Sequence, residues 1–359
     1  MAENGIGKTL FNKQELLKRL EKGAVPDDEI RRLMRIELDR RLKWGYRPTY
    51  EQQTQQVVQF AKSLRKFGIA TEINTLDSQM YEVPLPFLQI MFGATVKGSC
   101  SYFKDENMTL DEAEIAMLDL YCERAQVKDG QRVLDLGCGQ GALTLHIARK
   151  YSNCHVTAVT NSISQKDFIE EQSRNLKLSN VEVILEDITV LQMEAKFDRI
   201  LVIELFEHMK NYDLLLQKIS EWMTPSGLLF VEHVCHKTIA YQYEPLDEDD
   251  WFSEYIFPSE TLIIPSASFL LYFQDHVSLV DHWILSGKHY SRTGEEWLKR
   301  VDAKADEVKE IMSSSSSSSG EDAVKLFNYW RGFCLCTAEL FGYKNGEEWM
   351  MSHVLFKKK

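Results

Sequence analysis

Three observations predict an α/β fold built on a mostly parallel sheet. From about residue 130, short apolar runs alternate with amphipathic helical stretches. One run, Val133-Leu-Asp-Leu136, ends in an acid and passes directly into Gly137-Cys-Gly-Gln-Gly141 and then a helix from about Ala142. The side chains suited to ligand chemistry, at Thr160-Asn161, Asp187-Ile188 and Glu204, all fall at the ends of predicted strands. In an open parallel sheet that edge is where ligands bind.

The elements follow in order. Residues 1–125 read as an N-terminal helical cap without a strand signal of note. Asp27-Asp28 precede Ile30-Arg-Arg-Leu-Met-Arg-Ile-Glu-Leu38, acids at the start of an apolar helical period. Thr109-Leu-Asp-Glu112 spells a capping box for a helix reaching about Glu123. Between them, Gly98-Ser-Cys-Ser-Tyr-Phe103 is too rich in small residues for a helix and suits a ligand loop. Residues 126–236 form the expected core, with strands near 131–136, 155–160, 181–186, 198–203 and 227–233 and helices near 142–151, 162–176 and 211–223. Ser162-Ile-Ser-Gln165 is a second capping box. Residues 237–359 begin with the acidic, aromatic stretch Tyr243-Glu-Pro-Leu-Asp-Glu-Asp-Asp-Trp-Phe252. They supply strands near 279–287 and 345–356, which bring the sheet to seven. They also supply helices near 292–312 and 321–341, the first opened by Thr293-Gly-Glu-Glu296 and the two joined by the serine run Ser313 to Ser319.

Composition narrows the function classes. The chain has 359 residues, 44% hydrophobic and 27% charged, the balance of a soluble globular protein with a sizeable core. A net charge of −12 and the lack of a basic stripe argue against a nucleic-acid partner. Seven cysteines without a C-x-x-C pair suit buried thiols in a reducing compartment. His233, Cys235 and His236 cluster, but no second ligand pair stands at a recognisable spacing, so they read as a strand end and no metal is expected. No apolar run approaches the roughly 18 residues of a membrane span, and the N-terminus lacks a signal-peptide core. Cytoplasm is the default, with no membrane partner; a homodimer is compatible.

The glycine loop points to the ligand. Its G-x-G-x-G spacing departs from the dinucleotide pattern, and no Gly-Lys-Ser/Thr phosphate loop is present. Asp135 just before the glycines would repel a pyrophosphate but suits a cation, and S-adenosylmethionine carries both an ammonium and a sulfonium. The backbone at Gly137 and Gly139 is then the approach surface. The acid expected to hold a ribose after the second strand is absent, leaving Asn161 and Gln165 as substitutes; capping of the next helix competes for that stretch. Asp187 could accept from an adenine amine while Ile188 packs its ring. Ser99 and Tyr102 could close over the methionine carboxylate. At the fourth strand end, Glu204-Leu-Phe-Glu207-His208 offers two carboxylates and an imidazole. Glu204 would face His208 or Glu207 if the segment turned helical. An imidazole of ordinary pKa near 6.5 accepts a proton at neutral pH, and a neighbouring carboxylate would orient it and favour its charged form.

Val133 to Gly141, Val159-Thr-Asn-Ser162, Ile203 to Lys210 and Asn345-Gly-Glu-Glu-Trp-Met350 together resemble the plant coclaurine N-methyltransferases of benzylisoquinoline alkaloid biosynthesis. The similarity runs from Trp44-Gly-Tyr46 to the Phe356-Lys-Lys-Lys ending, interrupted only by the serine run. More distantly, Gly98 to Phe103 and Phe206-Glu-His208 resemble cyclopropane fatty acid synthases. The resemblance implies a Rossmann-like class I methyltransferase core with helical additions, S-adenosylmethionine as methyl donor, and a tetrahydroisoquinoline ring nitrogen as acceptor, coclaurine foremost. It implies that Ser99, Gly137, Asn161, Gln165, Asp187 and Ile188 hold the cofactor and that Glu204, Glu207 and His208 form the catalytic segment. His208 is then the base, assisted by Glu207, with Glu204 anchoring the amine. It further implies that Tyr81, Phe257, Tyr329, Trp330 and Phe333 surround the alkaloid, although core packing alone would explain Trp330 and Phe333. Relatives acting on reticuline, pavine or tetrahydroprotoberberine alkaloids share these motifs. Two other classes stay open: a lipid-alkene acceptor, which calls for an apolar channel and basic membrane-facing residues, and a non-catalytic binder of the cofactor.

Overall fold

The computed structural model describes residues 12–70, 83–256, 262–314 and 320–359. Five helices come first: α1 (Lys13–Glu21), α2 (Asp27–Gly45), α3 (Tyr50–Leu64), α4 (Leu85–Met91) and α5 (Leu110–Arg124). The predicted box at Thr109 opens α5 with both of its reciprocal hydrogen bonds in place. Then β1 (Arg132–Leu136), α6 (Ala142–Lys150), β2 (His155–Thr160), α7 (Ile163–Asn175), β3 (Val181–Leu185), β4 (Phe197–Ile203), α8 (Tyr212–Trp222) and β5 (Met223–His236) alternate. After them come β6 (Tyr241–Gln242), α9 (Trp251–Tyr255), β7 (Ile263–Ile264), β8 (Val277–Leu285), α10 (Lys288–Ala303), α11 (Ala305–Ser314), α12 (Gly320–Gly342) and β9 (Trp349–Lys358).

Seven strands form one sheet in the order β3-β2-β1-β4-β5-β9-β8. The β1–β5 pairings are parallel, while β9 runs antiparallel between β5 and β8. Strand order reverses at β1, between β2 and β4, so the crevice for a ligand lies beyond the carboxyl end of β1. Adjacent residues point to opposite faces, and both faces are covered. Val133 of β1 belongs to the apolar cluster beneath α5, α10 and α12, and Leu134 to the cluster beneath α3 and α8; neither is exposed. β6 and β7 make a separate two-stranded ribbon that the sequence does not signal.

The predicted element from 292 to 312 is two helices, broken at Lys304. The first begins four residues early, at Lys288, so Thr293 is not its cap. Thr293 is buried mid-helix, where its hydroxyl donates to the His289 carbonyl and accepts the Ser101 N–H. Glu296 pairs instead with Lys299. The second box is half formed: Ser162 accepts from the Gln165 N–H, but the Gln165 side chain turns to Thr160. The start of the serine run, Ser313 and Ser314, belongs to α11, and the rest of it lies outside the described residues. Among the described residues no helix is long and apolar enough to cross a membrane.

Candidate active site

A cavity of about 400 Å³ lies beyond the carboxyl ends of β1 to β5, roofed by α4, α5, α10 and α12. Of the residues predicted for the site, Ser99, Asp135, Gly137, Gly139, Asn161, Gln165, Asp187, Ile188, Glu204, Glu207, His208, Trp330 and Phe333 line it together. Tyr102 and Tyr329 do not. The Tyr102 ring packs on His289 at 4.8 Å, and Tyr329 lies edge-on to Tyr255 and Trp330. Tyr81 and Phe257 lie outside the described residues.

The glycine loop is a left-handed turn from strand to helix. Gly137, Gly139 and Gly141 have φ of 79°, 53° and 78°, a region open to glycine without a Cβ penalty. A Cβ on Gly141 would strike Ile169 at 2.5 Å, so that glycine serves packing. A Cβ on Gly139 would meet no protein atom within 4 Å, so its backbone faces open space where a ligand can approach. Asp135 is buried beneath the loop. Its Oδ2 accepts from the Thr144 hydroxyl at 2.6 Å, and burial pushes its carboxyl up to about 6 against that bond. It therefore braces the loop onto α6 as well as lining the cavity. Around the rim, Gln165 accepts from the Thr160 hydroxyl at 2.5 Å, which leaves its NH₂ group to offer a ligand. One oxygen of Asp187 is taken up by the Thr189 N–H and hydroxyl. Ser99 accepts from the ammonium of Lys97, a buried cation that also lines the cavity.

The acid end of the site is built by a kink rather than a helix. Only Phe206–His208 forms a single 3₁₀ turn, and Glu204 before it has φ of 49°, a strained value for a residue with a Cβ. Glu204 is held there by its own N–H, which donates to the Glu232 carbonyl at 3.0 Å. Its carboxylate accepts from the Cys100 N–H at 3.1 Å and the Tyr290 hydroxyl at 3.0 Å. Burial, then the charge on Glu232, pushes Glu204 up to about 7, opposed by Lys97. Glu207 is buried and pushed well above the carboxylate range by burial and by Glu204. Its Oε1 accepts from the Val234 N–H at 2.6 Å, while Oε2 has no hydrogen-bond partner among the described residues.

In the empty cavity His208 departs from the expected imidazole of ordinary pKa. Burial lowers His208 to about 4. Glu207, held protonated, carries no charge that would draw the imidazole upward. Among residues that the sequence reading missed, Lys97, Tyr121 and Tyr290 line the cavity as well. Nothing local in the sequence marks them, because each reaches the site from a separate helix or loop. His233, Cys235 and His236 sit on β5, with His233 Nδ1 on the Val234 carbonyl and His236 beside Glu348.

The cavity fits S-adenosylmethionine: an open glycine turn on one side, polar groups at Asn161, Gln165 and Asp187 around it, and carboxylates at the far end. The family model for mycolic acid cyclopropane synthetase matches residues 71–320. The chain is 67% identical to (S)-coclaurine N-methyltransferase of Thalictrum flavum subsp. glaucum over 345 residues, 96% of each chain. It is 60% identical to pavine N-methyltransferase of the same plant, again over 96% of each. A crystal structure of coclaurine N-methyltransferase bound to N-methylheliamine and SAH superposes with a TM-score of 0.95 at 67% identity, covering 96% of this chain and 99% of that one. The chain therefore belongs to the mycolic acid cyclopropane synthetase family and, within it, to the S-adenosylmethionine-dependent N-methyltransferases of the coclaurine type.

Proposed function

We propose that this chain methylates the secondary amine of a benzylisoquinoline alkaloid, (S)-coclaurine first, giving N-methylcoclaurine in alkaloid biosynthesis. One observation carries the reading: the buried Oε2 of Glu207, without a hydrogen-bond partner among the described residues, in a cavity that also holds the Glu204 carboxylate and the aromatic rings of Trp330 and Phe333. A buried polar oxygen left without a partner is costly; a cationic amine draws Glu207 into its ionised form, and the amine N–H then satisfies Oε2. Aromatic faces add roughly 0.5–2 kcal/mol each for a cation. Neither feature favours an alkene, which has no charge and no donor.

Ser99, Asp135, Gly137, Gly139, Asn161, Gln165, Asp187 and Ile188 are assigned to the cofactor, which supplies an electrophilic methyl group when bound. Residues 126–236 form the cofactor-holding core, residues 1–125 the cap, and residues 237–359 the substrate helices and last strands. The amine arrives protonated and must lose that proton to become nucleophilic. Its positive charge draws Glu204 and Glu207 into their ionised forms, and an ionised Glu207 in turn raises the proton affinity of His208. The proton then passes from the ring nitrogen to His208, directly or through one water, while Glu204 holds the amine in place. Tyr102 and Tyr329 are given no role toward the cofactor or the alkaloid, and Tyr81 and Phe257 lie outside the described residues.

The purified protein, given cofactor and a panel of coclaurine, reticuline, pavine, tetrahydroprotoberberine and phenolic compounds, should methylate coclaurine fastest. Mass spectrometry should place the new methyl on nitrogen. A product methylated on oxygen, or turnover confined to the other skeletons, would overturn the substrate assignment.

A further inference from the structure

Glu204 stands on a buried ionic cluster that none of the steps above uses. Glu232 is fully buried on β5 and bonds Glu204 through its backbone. Its Oε1 accepts the Tyr121 hydroxyl, and its Oε2 meets Nε2 of His353, directly across on β9. The other nitrogen of His353, Nδ1, lies 2.7 Å from Arg124 Nη1. A guanidinium can only donate, so Nδ1 is bare, the ring proton sits on Nε2, and the imidazole is neutral. Glu232 therefore keeps its negative charge. Burial pushes it up, but His353, Lys97 and Tyr121 outweigh burial and hold it below the ordinary range. Lys97 is the matching cation. Its ammonium donates to Ser99 and to the Cys100 carbonyl, and the Cys100 N–H donates to Glu204.

The groups facing Glu204 can be taken element by element. From the loop after α4 come Lys97 and Cys100, from α5 Tyr121, from the 3₁₀ turn Glu207 and His208, from β5 Glu232, and from α10 Tyr290. His353 on β9 stands behind Glu232. Burial keeps Cys100, Tyr121 and Tyr290 protonated and His208 deprotonated, so all are neutral near pH 7, and Glu207 is neutral until a cation arrives. Among the described residues, two fixed charges remain beside Glu204: the Glu232 anion and the Lys97 cation.

We propose that Glu232 and Lys97 are positioning residues whose opposed charges determine the pH at which Glu204 becomes an anion, and hence the pH at which the site can hold a cationic amine. The proposal rests on the reading of the cavity as an amine site. Glu232 raises the proton affinity of Glu204 and Lys97 lowers it. Neither residue is asked to touch the substrate amine.

The test uses a ligand that does not itself titrate. Binding of N,N-dimethyltetrahydroisoquinolinium to the full-length protein saturated with S-adenosylhomocysteine is measured by calorimetry across pH. Wild-type affinity should weaken as pH falls through about 7, where Glu204 takes up its proton. Glu232→Gln should move that midpoint down by about one pH unit, and Lys97→Met should move it up by about as much. A merely structural role would not shift one midpoint in opposite directions. Should Glu232→Gln fail to fold, seen as loss of S-adenosylhomocysteine binding, an unmoved or lowered midpoint in Lys97→Met overturns the proposal. Midpoints that stay at the wild-type value, or move the same way in both variants, also overturn it and leave the amine-site reading standing. Absence of wild-type binding at every pH overturns the amine site and this proposal with it.

Discussion

At the scale of single residues, the site works by withholding water. Glu207 is buried and Glu204 and His208 are half-buried in the cavity wall, and the loss of water favours the neutral form of each: the two acids are pushed up and the imidazole down to about 4. Between about pH 4 and pH 7 these three groups are therefore neutral in the empty cavity, and a cation draws the two acids into their charged forms. His208→Ala tests the assignment of the base. Turnover should fall about a hundredfold to ten-thousandfold, equivalent to roughly 3–5 kcal/mol of barrier. Affinity for S-adenosylhomocysteine should not change, because the imidazole is assigned to the amine and not to the cofactor. In the wild type kcat should rise with pH through the ionisation of the His208 complex, and the variant should lose that limb. A variant with near-wild-type kcat at neutral pH would transfer the role to Glu204, Glu207 or water. The residue scale also shows why the site was only partly legible. Gly137, Gly139, Asn161, Asp187 and Glu204 announce themselves because each follows a strand whose apolar run is local in sequence. Lys97, Glu232, Tyr290 and His353 do not, since their partners lie as many as 229 positions away and their meaning comes from charge neighbours in space.

Among the elements, α10 governs the loop that carries Ser99. Thr293 accepts the Ser101 N–H at 3.1 Å, and His289 accepts the Phe103 N–H at 3.3 Å. Arg292 donates to the carbonyls of Asp105, Glu106 and Met108 while its guanidinium covers the Phe103 ring at 4.1 Å. The loop has no regular structure of its own, so its backbone groups depend on this helix. The spacing Thr293-Gly-Glu-Glu296 matches a capping pattern by sequence alone, yet the hydroxyl is needed across space and the helix starts a turn and more earlier. A local signal lost to a tertiary one. Thr293→Val keeps the shape and removes the acceptor, leaving the buried Ser101 N–H unmet. Thermal unfolding should report a loss of about 1–3 kcal/mol. Steady-state kinetics should show KM for the cofactor rising more than kcat falls, because Ser99 lies two residues from the released N–H. An unchanged KM would separate this loop from cofactor binding. The parallel strands were read closely because period and glycine spacing are local. The β6–β7 ribbon was not, since two-residue strands leave no period to read.

In the whole molecule, α2 packs against α12, which roofs the cavity, and Glu348 is one of the residues that hold the end of α2 to the sheet. It stands just before β9, is buried, and accepts the Tyr46 hydroxyl from the end of α2 at 2.6 Å. Lys237 lies 3.1 Å away, and His236 Nε2, at the end of β5, 3.3 Å away. His236 Nδ1 accepts two backbone N–H groups, from Thr238 and Ile239, so its ring proton is on the nitrogen facing Glu348. Burial alone would raise the Glu348 carboxyl, but the bonds from His236, Tyr46 and Lys237 outweigh it and hold the group down at about 2. The sign of the consequence follows from linkage. A carboxylate depressed in the folded state contributes stability that is fully present above its unfolded pKa of about 4.3 and is lost as pH falls toward 2. Glu348→Gln should therefore lower stability at pH 7 by about 2–3 kcal/mol. The cost should shrink steadily between about pH 4.5 and pH 2, so that the two proteins converge in acid. Denaturant melts at a series of pH values give the curve directly. A constant difference at all pH values would mean that Glu348 acts through packing and not through its charge, and the seating of α2 on β9 would then need another cause.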